Sequence, residues 1–246
     1  MNIGATIKKL RQKNGITQYQ LAECLNVSMQ TISRWETAAT YPDIVMLPIL
    51  AKYFHVTVDY LLNNGGNHVM TTTESEKLFI REWDQNDAVE LFDINQQSTD
   101  FMNYLQLNSI NDCMECINIW KEHQEMYPVI FKETGKLIGV VGLVDIGRYH
   151  GYREIEVHIC DKYNTIDYVA EAHKLILGYG FQELGLSLAF ASCKCDDEVL
   201  KQSMTQVGFV YEGTLRKFGR DKKDRMRYSI TKEEFSLNPN NQHASR

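Results

Sequence analysis

The sequence predicts a two-domain protein: an all-α N-terminal domain of five short helices, then an α/β (α+β) domain with a mixed central sheet. Three observations support this. Apolar residues recur at helical spacing up to about residue 62, a polar stretch follows, and strand-like and helix-like segments alternate from about residue 76. The 246-residue length suits one or two domains, since a domain commonly holds about 150 residues.

The N-terminal helices have recognisable start and stop signals. Apolar residues at i, i+4 and i+7 from Ile3 mark the first helix, and Thr17 and Ser28 are good N-caps for the second and third. An interior proline costs about 3 kcal/mol, so Pro48 should lie in the first turn of the fourth helix. The fifth helix is predicted over residues 57–62.

From residue 76 the pattern alternates between strand and helix and ends in a hairpin. Predicted strands cover residues 78–81, 128–131, 137–146, 154–159, 188–193, 209–216 and 225–230, and predicted helices cover 87–94, 111–123, 168–184 and 198–207.

Two stretches are predicted to lack regular structure. Turn-forming and polar residues fill positions 63–75, which we interpret as a linker between the domains. Residues 236–246 are polar and are predicted to be a disordered tail.

Composition excludes several classes of protein. The chain is 43% hydrophobic and 24% charged, as globular proteins are. Its longest apolar run, residues 137–144, is far shorter than the roughly 20 residues that a membrane span needs. The N-terminus lacks the apolar core of a secretory signal, and the six cysteines show no secreted-framework spacing. We therefore expect a cytoplasmic protein with reduced thiols and no membrane partner.

The formal net charge of −6 is unevenly distributed. Residues 1–70 hold six basic and four acidic residues, so this segment is slightly basic and the rest is acidic. This asymmetry indicates two domains with different partners. Within the acidic part, residues 216–227 carry seven Lys and Arg residues against two Asp residues. That turn is either a solvated loop or a surface for phosphate or DNA backbone.

A specific pattern spans the second and third helices. It runs Thr17-Gln18-x-x-Leu21-Ala22-x-x-Leu25-x-x-Ser28-x-x-x-Ile32-Ser33-Arg34-Trp35-Glu36, and Tyr41-Pro42-Asp43 follows. The pattern resembles the helix-turn-helix of the lambda-repressor-like, xenobiotic-response-element family. This resemblance covers residues 1–62 and implies a five-helix domain whose third helix enters the major groove of double-stranded DNA.

The third helix supplies most of the candidate DNA contacts. Ile32 and Trp35 form its apolar face, which leaves the opposite face free. Gln and Arg side chains can form paired hydrogen bonds to adenine and guanine edges. A domain this small neutralises few phosphates, so useful affinity implies a homodimer on paired half-sites. The resemblance assigns base reading to Met29, Gln30 and Arg34 and phosphate contact to Gln18 and Ser28, with Ser33 on the same face.

The sequence departs from this family at the end of the third helix. The family usually has glycine where Ala38 stands. The helix therefore either accepts the cost of a left-handed residue at Ala38 or ends in a different way.

The second domain resembles a different family. Its pieces are Leu137-Ile138-Gly139-Val140-Val141-Gly142-Leu143, Glu154-Ile155, Tyr168-x-x-Glu171-Ala172 with Gly180-Phe181, and Gly208-Phe209-x-Tyr211-Glu212-Gly213-x-x-Arg216. Together they look like a GNAT acetyltransferase of the ribosomal-protein N-acetyltransferase type. The resemblance covers about residues 76–235 and implies a GNAT fold, with acetyl-CoA as a possible ligand.

The resemblance weakens at the loop that cradles the acetyl-CoA pyrophosphate. The family has a Q/R-x-x-G-x-G/A pattern there, and the aligned residues are Asn164, Thr165, Ile166, Asp167, Tyr168 and Val169. Such loops bind phosphate through backbone N–H groups at a helix N-terminus. A carboxylate at Asp167 would repel the pyrophosphate by about 4 kcal/mol at 4 Å and an effective dielectric near 20.

Further catalytic positions are also altered. Asp197 aligns with an asparagine that meets the pantetheine arm, and Leu200 and Met204 align with the general acid but donate no proton. Glu154 aligns with a general base that would deprotonate an amine through water. The alternative for Glu154 is an ordinary exposed strand carboxylate.

Two hypotheses for the second domain stay open. In one it is a non-catalytic sensor or dimerisation module of a transcription regulator, with a small molecule or acyl-CoA as its ligand. In the other it is an active, acetyl-CoA-dependent N-acetyltransferase. Cys113-x-x-Cys116 lies on a predicted helix, and Cys193-x-Cys195 is one residue too close for a zinc knuckle, so we expect free thiols and predict no metal.

Overall fold

The computed structural model describes residues 3–54, 56, 58–62, 70, 72–84, 86–99, 101–102, 105–144, 152–218 and 221–241. The chain separates into two compact units at residue 70. Each unit has an apolar core of its own, which confirms the predicted two-domain fold.

The N-terminal unit is all-helical, as predicted. Thr17 and Gln20 form a capping box at the start of the second helix, and Ser28 caps the third. Pro48 lies in the first turn of the fourth helix, where its missing N–H costs no hydrogen bond. The helices are α1 (Ile3–Lys13), α2 (Gln18–Leu25), α3 (Met29–Glu36), α4 (Met46–Phe54) and α5 (Val58–Leu62).

Close packing fixes α3 against α1. A Cβ atom at Gly4 would lie 1.9 Å from the Trp35 carbonyl oxygen, so only glycine permits this approach. Beyond the end of α3, Ala38 adopts a φ of 58°. The helix therefore accepts the left-handed residue, with its steric cost, at the position where the related family has glycine.

The C-terminal unit contains an eight-stranded mixed sheet in its described part. The strands lie in the order β1-β2-β3-β4-β5-β6-β8-β7, and every neighbouring pair is antiparallel except β5 and β6. Their bounds are β1 (Thr73–Glu74), β2 (Leu78–Ile80), β3 (Met126–Phe131), β4 (Lys136–Val144), β5 (Tyr152–Ile159), β6 (Leu188–Lys194), β7 (Val210–Leu215) and β8 (Arg225–Thr231).

Helices cover the sheet on both faces. The helices are α6 (Asp87–Gln97), α7 (Ile110–His123), α8 (Ile166–Gln182), α9 (Glu198–Val207) and α10 (Lys232–Leu237). One apolar core joins α8 and α9 to the sheet, and a second joins α6 and α7 to β3 and β4. All six residues of β3 are buried because both faces of this strand are covered.

The C-terminal domain extends further at both ends than the sequence predicts. Part of the predicted linker belongs to it, since Met70 is buried and Thr73–Glu74 pairs with β2. The carboxylate of Glu171 on α8 accepts hydrogen bonds from Ser75 and from the backbone N–H groups of residues 77 and 78. A side chain about 95 residues away thus orders this segment, which local composition does not reveal.

The predicted disordered tail is partly ordered. Residue 241 is an asparagine that is only 4% exposed, and its side-chain amide donates to the carbonyl oxygens of Val207 and Phe235. These tertiary contacts order residues 236–241. Residues 63–69 and 71 of the predicted linker, and 242–246 of the predicted tail, lie outside the described residues.

Candidate functional site

The structure places the predicted base-reading residues on the exposed side of α3. Ile32 and Trp35 are buried in the core, whereas Gln30 and Arg34 are exposed and Met29 is 50% exposed. Ser33 is half-buried beside them. The helix therefore presents two side chains that can form paired hydrogen bonds to bases, next to one that is suited only to apolar contact.

Ser28 is exposed at the start of α3. Its hydroxyl accepts a hydrogen bond from the Thr31 N–H at 3.1 Å and caps the helix. The N-terminus of a helix favours anions, so this end of α3 suits a phosphate oxygen.

A buried ion pair holds α3 in place and engages a predicted phosphate contact. Glu36, at the end of α3, accepts from Arg11 at 2.5 and 3.0 Å and from the Gln18 amide at 2.9 Å. Arg11 also donates to the Ile16 carbonyl oxygen at 2.8 Å. Gln18 is thus positioned by the protein itself, and its amide ties α2 to α3.

This ion pair shifts the pKa values of both Glu36 and Arg11. Burial acts to raise the pKa of the Glu36 carboxyl, but the hydrogen bonds from Arg11 and Gln18 outweigh it and hold the pKa below its ordinary value. The hydrogen bond to Glu36 raises the pKa of Arg11. Both groups therefore remain charged, and the pair is stable at neutral pH.

The C-terminal domain has a cleft where its only described parallel strand pair divides. Pairing of β5 with β6 runs from Tyr152 and Leu188 to Ile155 and Ala191. Beyond these positions β5 continues beside β4, and β6 continues beside β8. The two strands diverge, and a cavity of about 590 Å³ lies between them.

The cleft is rich in acidic groups, most of which are engaged by the protein. Asp161 accepts hydrogen bonds from Thr99, and Asp221 pairs with Arg225. Glu156 lies 3.3 Å from His158. The charged and titratable residues of the lining are Glu154, Glu156, Asp161, Asp197, Asp221, Lys194, Arg225, His158 and His173.

The N-terminus of α8 opens beside this cleft, but its first turn does not suit a pyrophosphate. Thr165 caps the helix by accepting from the Tyr168 N–H at 3.5 Å. Val169 is buried where the related family has a small residue, and the exposed Asp167 adds a negative charge to the first turn. Asn164 and Val169 line the cleft. The residues present at this helix end therefore do not fit the phosphates of acetyl-CoA.

Tyr168 serves the core of the domain. Its ring lies 5.8 Å from the rings of Phe131 and Tyr163 in edge-on contacts. The Lys77 ammonium lies 5.7 Å from the same ring. Tyr168 thus packs α8 against the sheet.

The other altered positions also have structural roles. Asp197 caps α9, since its Oδ1 accepts from the Leu200 N–H at 3.0 Å. Leu200 lines the cleft and Met204 is fully buried, and neither side chain can donate a proton. A general acid is thus missing from the two positions that align with it.

Glu154, the candidate base, is held by an ion pair. Its Oε1 accepts from Arg227 at 2.7 Å and from the Ser192 hydroxyl at 2.9 Å. The Arg227 guanidinium also lies 4.6 Å from the centre of the Phe190 ring. The carboxylate still borders the cleft, but its charge is neutralised and its orientation is fixed by this network.

His173 and the cysteines contribute little reactive chemistry. His173 lines the cleft but is 1% exposed, and burial lowers its pKa to about 4, so the ring is neutral. Burial raises the pKa of Cys113 to about 11 and that of Cys116 to about 12, which disfavours the thiolate form that metals bind. In the described part of the chain, no group of three or more His, Cys, Asp or Glu side chains could hold a metal ion.

Sequence reasoning missed Arg227 and most of the cleft. The alternation of Glu154, Glu156 and His158 along a predicted strand was a signal that these side chains share one face. Arg227 gave no such signal, because it lies 73 residues away and reaches Glu154 only through the pairing of β6 with β8.

Comparison with known proteins supports both halves of this description. Residues 7–61 match the helix-turn-helix family, and residues 77–210 match the acetyltransferase (GNAT) domain, which is more than half of the chain. The chain belongs to the GNAT acetyltransferase family. Its helix-turn-helix domain precedes the GNAT domain, as the sequence predicted.

One relative matches about a third of this chain. The HTH-type transcriptional activator BcrR of Enterococcus faecalis is 40% identical over 76 residues, which cover 31% of this chain and 36% of BcrR. The chain thus spans about a third of the length of that relative. No helix within the described residues is long and apolar enough to cross a membrane.

Solved structures share the fold of the GNAT domain. An acetyltransferase (GNAT family) from Bacillus anthracis superimposes with a TM-score of 0.58 at 24% identity and covers 67% of this chain and all of that one. The microcin C7 self-immunity acetyltransferase MccE, in complex with acetyl-CoA and AMP, gives 0.54 at 21% identity and covers 63% and 93%.

Proposed function

We propose that the protein is a sequence-specific, DNA-binding transcription regulator whose GNAT-fold domain acts as a sensor or dimerisation module. The exposed face of α3 carries this proposal. Gln30 and Arg34 project from a helix whose opposite face is buried, and the Glu36 ion pair supports that helix from behind. The name of BcrR, a transcriptional activator, supports a regulatory role for the matching domain. Such a regulator would work in the cytoplasm of a bacterium.

Selection of binding sites from random-sequence duplex DNA tests the first part. We expect the full-length protein to enrich one sequence. The double variant Gln30→Ala/Arg34→Ala should lose about 1 to 3 kcal/mol of discrimination for each contact, or roughly tenfold or more. Lys9→Ala/Gln12→Ala is the matched control, since it removes one cation and one amide from the exposed side of α1. Enrichment that is unchanged in the α3 variant would refute base reading by this helix.

The same experiment addresses the homodimer. The N-terminal domain has only six basic residues, so a single copy contacts few phosphates. We propose a homodimer, and the enriched sequence should then be an inverted repeat whose half-sites lie about one helical turn apart. Light scattering of the free protein should give twice the chain mass. A monomeric mass and a single half-site would contradict the dimer.

The altered residues of the cleft support a sensor. The cavity between β5 and β6 persists, while Thr165, Asp197 and Glu154 are each engaged by the protein itself. A ligand at 100 times its dissociation constant should raise stability by about 2.7 kcal/mol. We expect no thermal shift at millimolar acetyl-CoA. A clear shift with acetyl-CoA would contradict our interpretation of the α8 N-terminus.

An active, acetyl-CoA-dependent N-acetyltransferase is the second candidate function. Two observations favour it: membership of the GNAT family, and strands that diverge to leave a cavity of about 590 Å³ beside Glu154. MccE shares the fold and was solved with acetyl-CoA. Measurement of CoA release with peptide and amine acceptors tests this function. Turnover that Glu154→Gln abolishes would establish it, and absence of CoA release would support the sensor.

A further inference from the structure

The turn between β7 and β8 carries the densest positive charge of the C-terminal domain. We call its described residues, 216–218 and 221–225, the basic turn. In the part of the chain that the structure describes, four of its bases are exposed, and no hydrogen bond or ion pair engages their charged ends: Arg216, Lys217, Lys222 and Lys223.

The two acids of the basic turn shape its backbone. Asp224 accepts from the Lys217 N–H at 3.0 Å, and Asp221 accepts from the Lys223 N–H at 3.1 Å. Asp221 also pairs with Arg225 at 2.9 Å. The Phe218 N–H donates to the Lys223 carbonyl oxygen at 3.1 Å, which closes the turn. Because its acids are directed to its own backbone and to Arg225, the turn presents an excess of cations to solvent.

This charge contrasts with the rest of the domain. Residues 71–246 hold 20 basic and 28 acidic residues, and the cleft beside the turn is lined by five carboxylates against two basic side chains, those of Lys194 and Arg225. The exposed bases are absent from the described lining of the cleft, whereas Asp221 and Arg225 are part of it. A small anion inside the cleft would therefore meet acids, while a polyanion outside it would meet the four exposed bases.

We infer that the basic turn contacts the phosphate backbone of the DNA duplex bound by the helix-turn-helix domain. This inference rests on the proposed function. The N-terminal domain holds only six basic residues against four acidic ones. It can therefore contact few phosphates by itself, and other phosphates of the bound duplex stay available to the basic turn. A second cationic surface on the same chain binds at high effective concentration once the first is engaged. Phosphate contacts add affinity and salt dependence but no sequence preference.

Salt dependence of binding tests this inference. The full-length protein is titrated with a mixed-sequence duplex of about 30 base pairs over a range of salt concentrations. The variant Lys217→Gln/Lys222→Gln/Lys223→Gln should reduce the slope of log affinity against log salt by about 0.9 for each lost phosphate contact, and so by up to about 2.7. The control Lys121→Gln/Lys136→Gln/Lys232→Gln removes the same charge from exposed sites elsewhere on the domain and should keep the wild-type slope.

The outcomes separate this inference from the proposed function. Equal slopes for the two triple variants would overturn the inference, whereas the proposed function would stand if Gln30→Ala/Arg34→Ala still lost sequence preference. A wild-type chain that binds no duplex at low salt overturns both. Binding to phosphatidylserine vesicles gives a further arm. If the turn variant loses vesicle binding but keeps its DNA slope, the surface serves membranes and the inference is wrong.

Discussion

The N-terminal ends of α3 and α8 begin alike and then differ in what they offer a ligand. Each helix has a hydroxyl cap, Ser28 on α3 and Thr165 on α8. Beyond its cap, α3 turns Gln30 to solvent, whereas α8 buries Val169 and exposes a carboxylate at Asp167. Both helices therefore begin with a hydroxyl cap. The first turn of α3 leaves a polar side chain exposed to solvent, whereas the first turn of α8 contains a buried valine and an exposed carboxylate.

The ion pairs at the two candidate sites also differ. Arg11 and Glu36 support α3 from the core and leave its reading face free. Arg227 instead engages Glu154, the residue that catalysis would use. An ion pair thus supports the candidate site in one domain and engages a candidate catalytic residue in the other. Four substitutions or titrations test this difference, given below from the largest expected effect to the smallest.

Removal of the charge of Glu36 should have the largest effect. Glu36→Gln leaves the Arg11 guanidinium, 12% exposed, without its counter-ion and should destabilise the N-terminal domain by about 4 kcal/mol. Hydrogen exchange of peptides from α1 and α3 measures this loss. Glu23→Gln, on the exposed side of α2, should have little effect. Protection that is unchanged in Glu36→Gln would show that the ion pair does not hold α3.

Acid should destabilise the C-terminal domain through His173. Burial depresses the folded-state pKa to about 4 from an ordinary 6.5, so the stability linked to the neutral ring is complete above pH 6.5 and is lost as the pH falls toward 4. The loss should reach about 3 kcal/mol. Denaturant unfolding between pH 7 and 4 measures it, and His173→Gln should flatten the profile. An NMR titration that places the pKa near 6.5 would contradict burial as the cause.

The carboxylate of Glu154 should matter for stability at an intermediate level. Glu154→Gln weakens the charged hydrogen bonds with Arg227 and Ser192 and should destabilise the domain by about 2 kcal/mol. The double variant with Arg227→Gln should recover part of that loss, because it leaves no unpaired charge. If Glu154→Gln is as stable as the wild type, the carboxylate has no structural role, and Glu154 stays a candidate general base.

The charge at Asp167 should have the smallest effect, because the side chain is exposed. In a solvent-like dielectric the repulsion of a phosphate at 4 Å is only about 1 kcal/mol, well below the value for a more buried site. Under the second candidate function, in which acetyl-CoA binds, Asp167→Asn should therefore raise its affinity by about fivefold in equilibrium binding. Glu183→Gln, beyond the other end of α8, removes a charge without this gain. Equal affinities for these two variants would place the phosphates away from the α8 N-terminus.

Much of the fold could be predicted because its signals are local. The capping residues Thr17 and Ser28 act within three residues of themselves, and the spacing of Ile32 and Trp35 marks the buried face of α3. The face proposed to read DNA follows as the opposite side of the same helix. For the same reason, the alteration of the loop from Asn164 to Val169 is evident in the amino-acid sequence alone.

The candidate sites were harder to predict where distant segments meet. Glu171 accepts hydrogen bonds that order residues 75–78, and Asn241 donates a hydrogen bond to the Val207 carbonyl oxygen. Local composition does not indicate these distant partners, so the predicted ends of the C-terminal domain were wrong. The hydrogen bond from Gln18 to Glu36 was not predicted, because no local sequence pattern indicates a partner 18 residues away.

The sequence by itself determined the two domains, the exposed face of the helix that we propose reads DNA, and the altered residues of the loop from Asn164 to Val169, because each depends on neighbours along the chain. The tertiary structure alone decided that β8 lies between β6 and β7, which brings Arg227 to Glu154 across 73 residues. It also decided where β5 and β6 diverge. Strand order and register are set by packing of the whole sheet, so no local pattern records them.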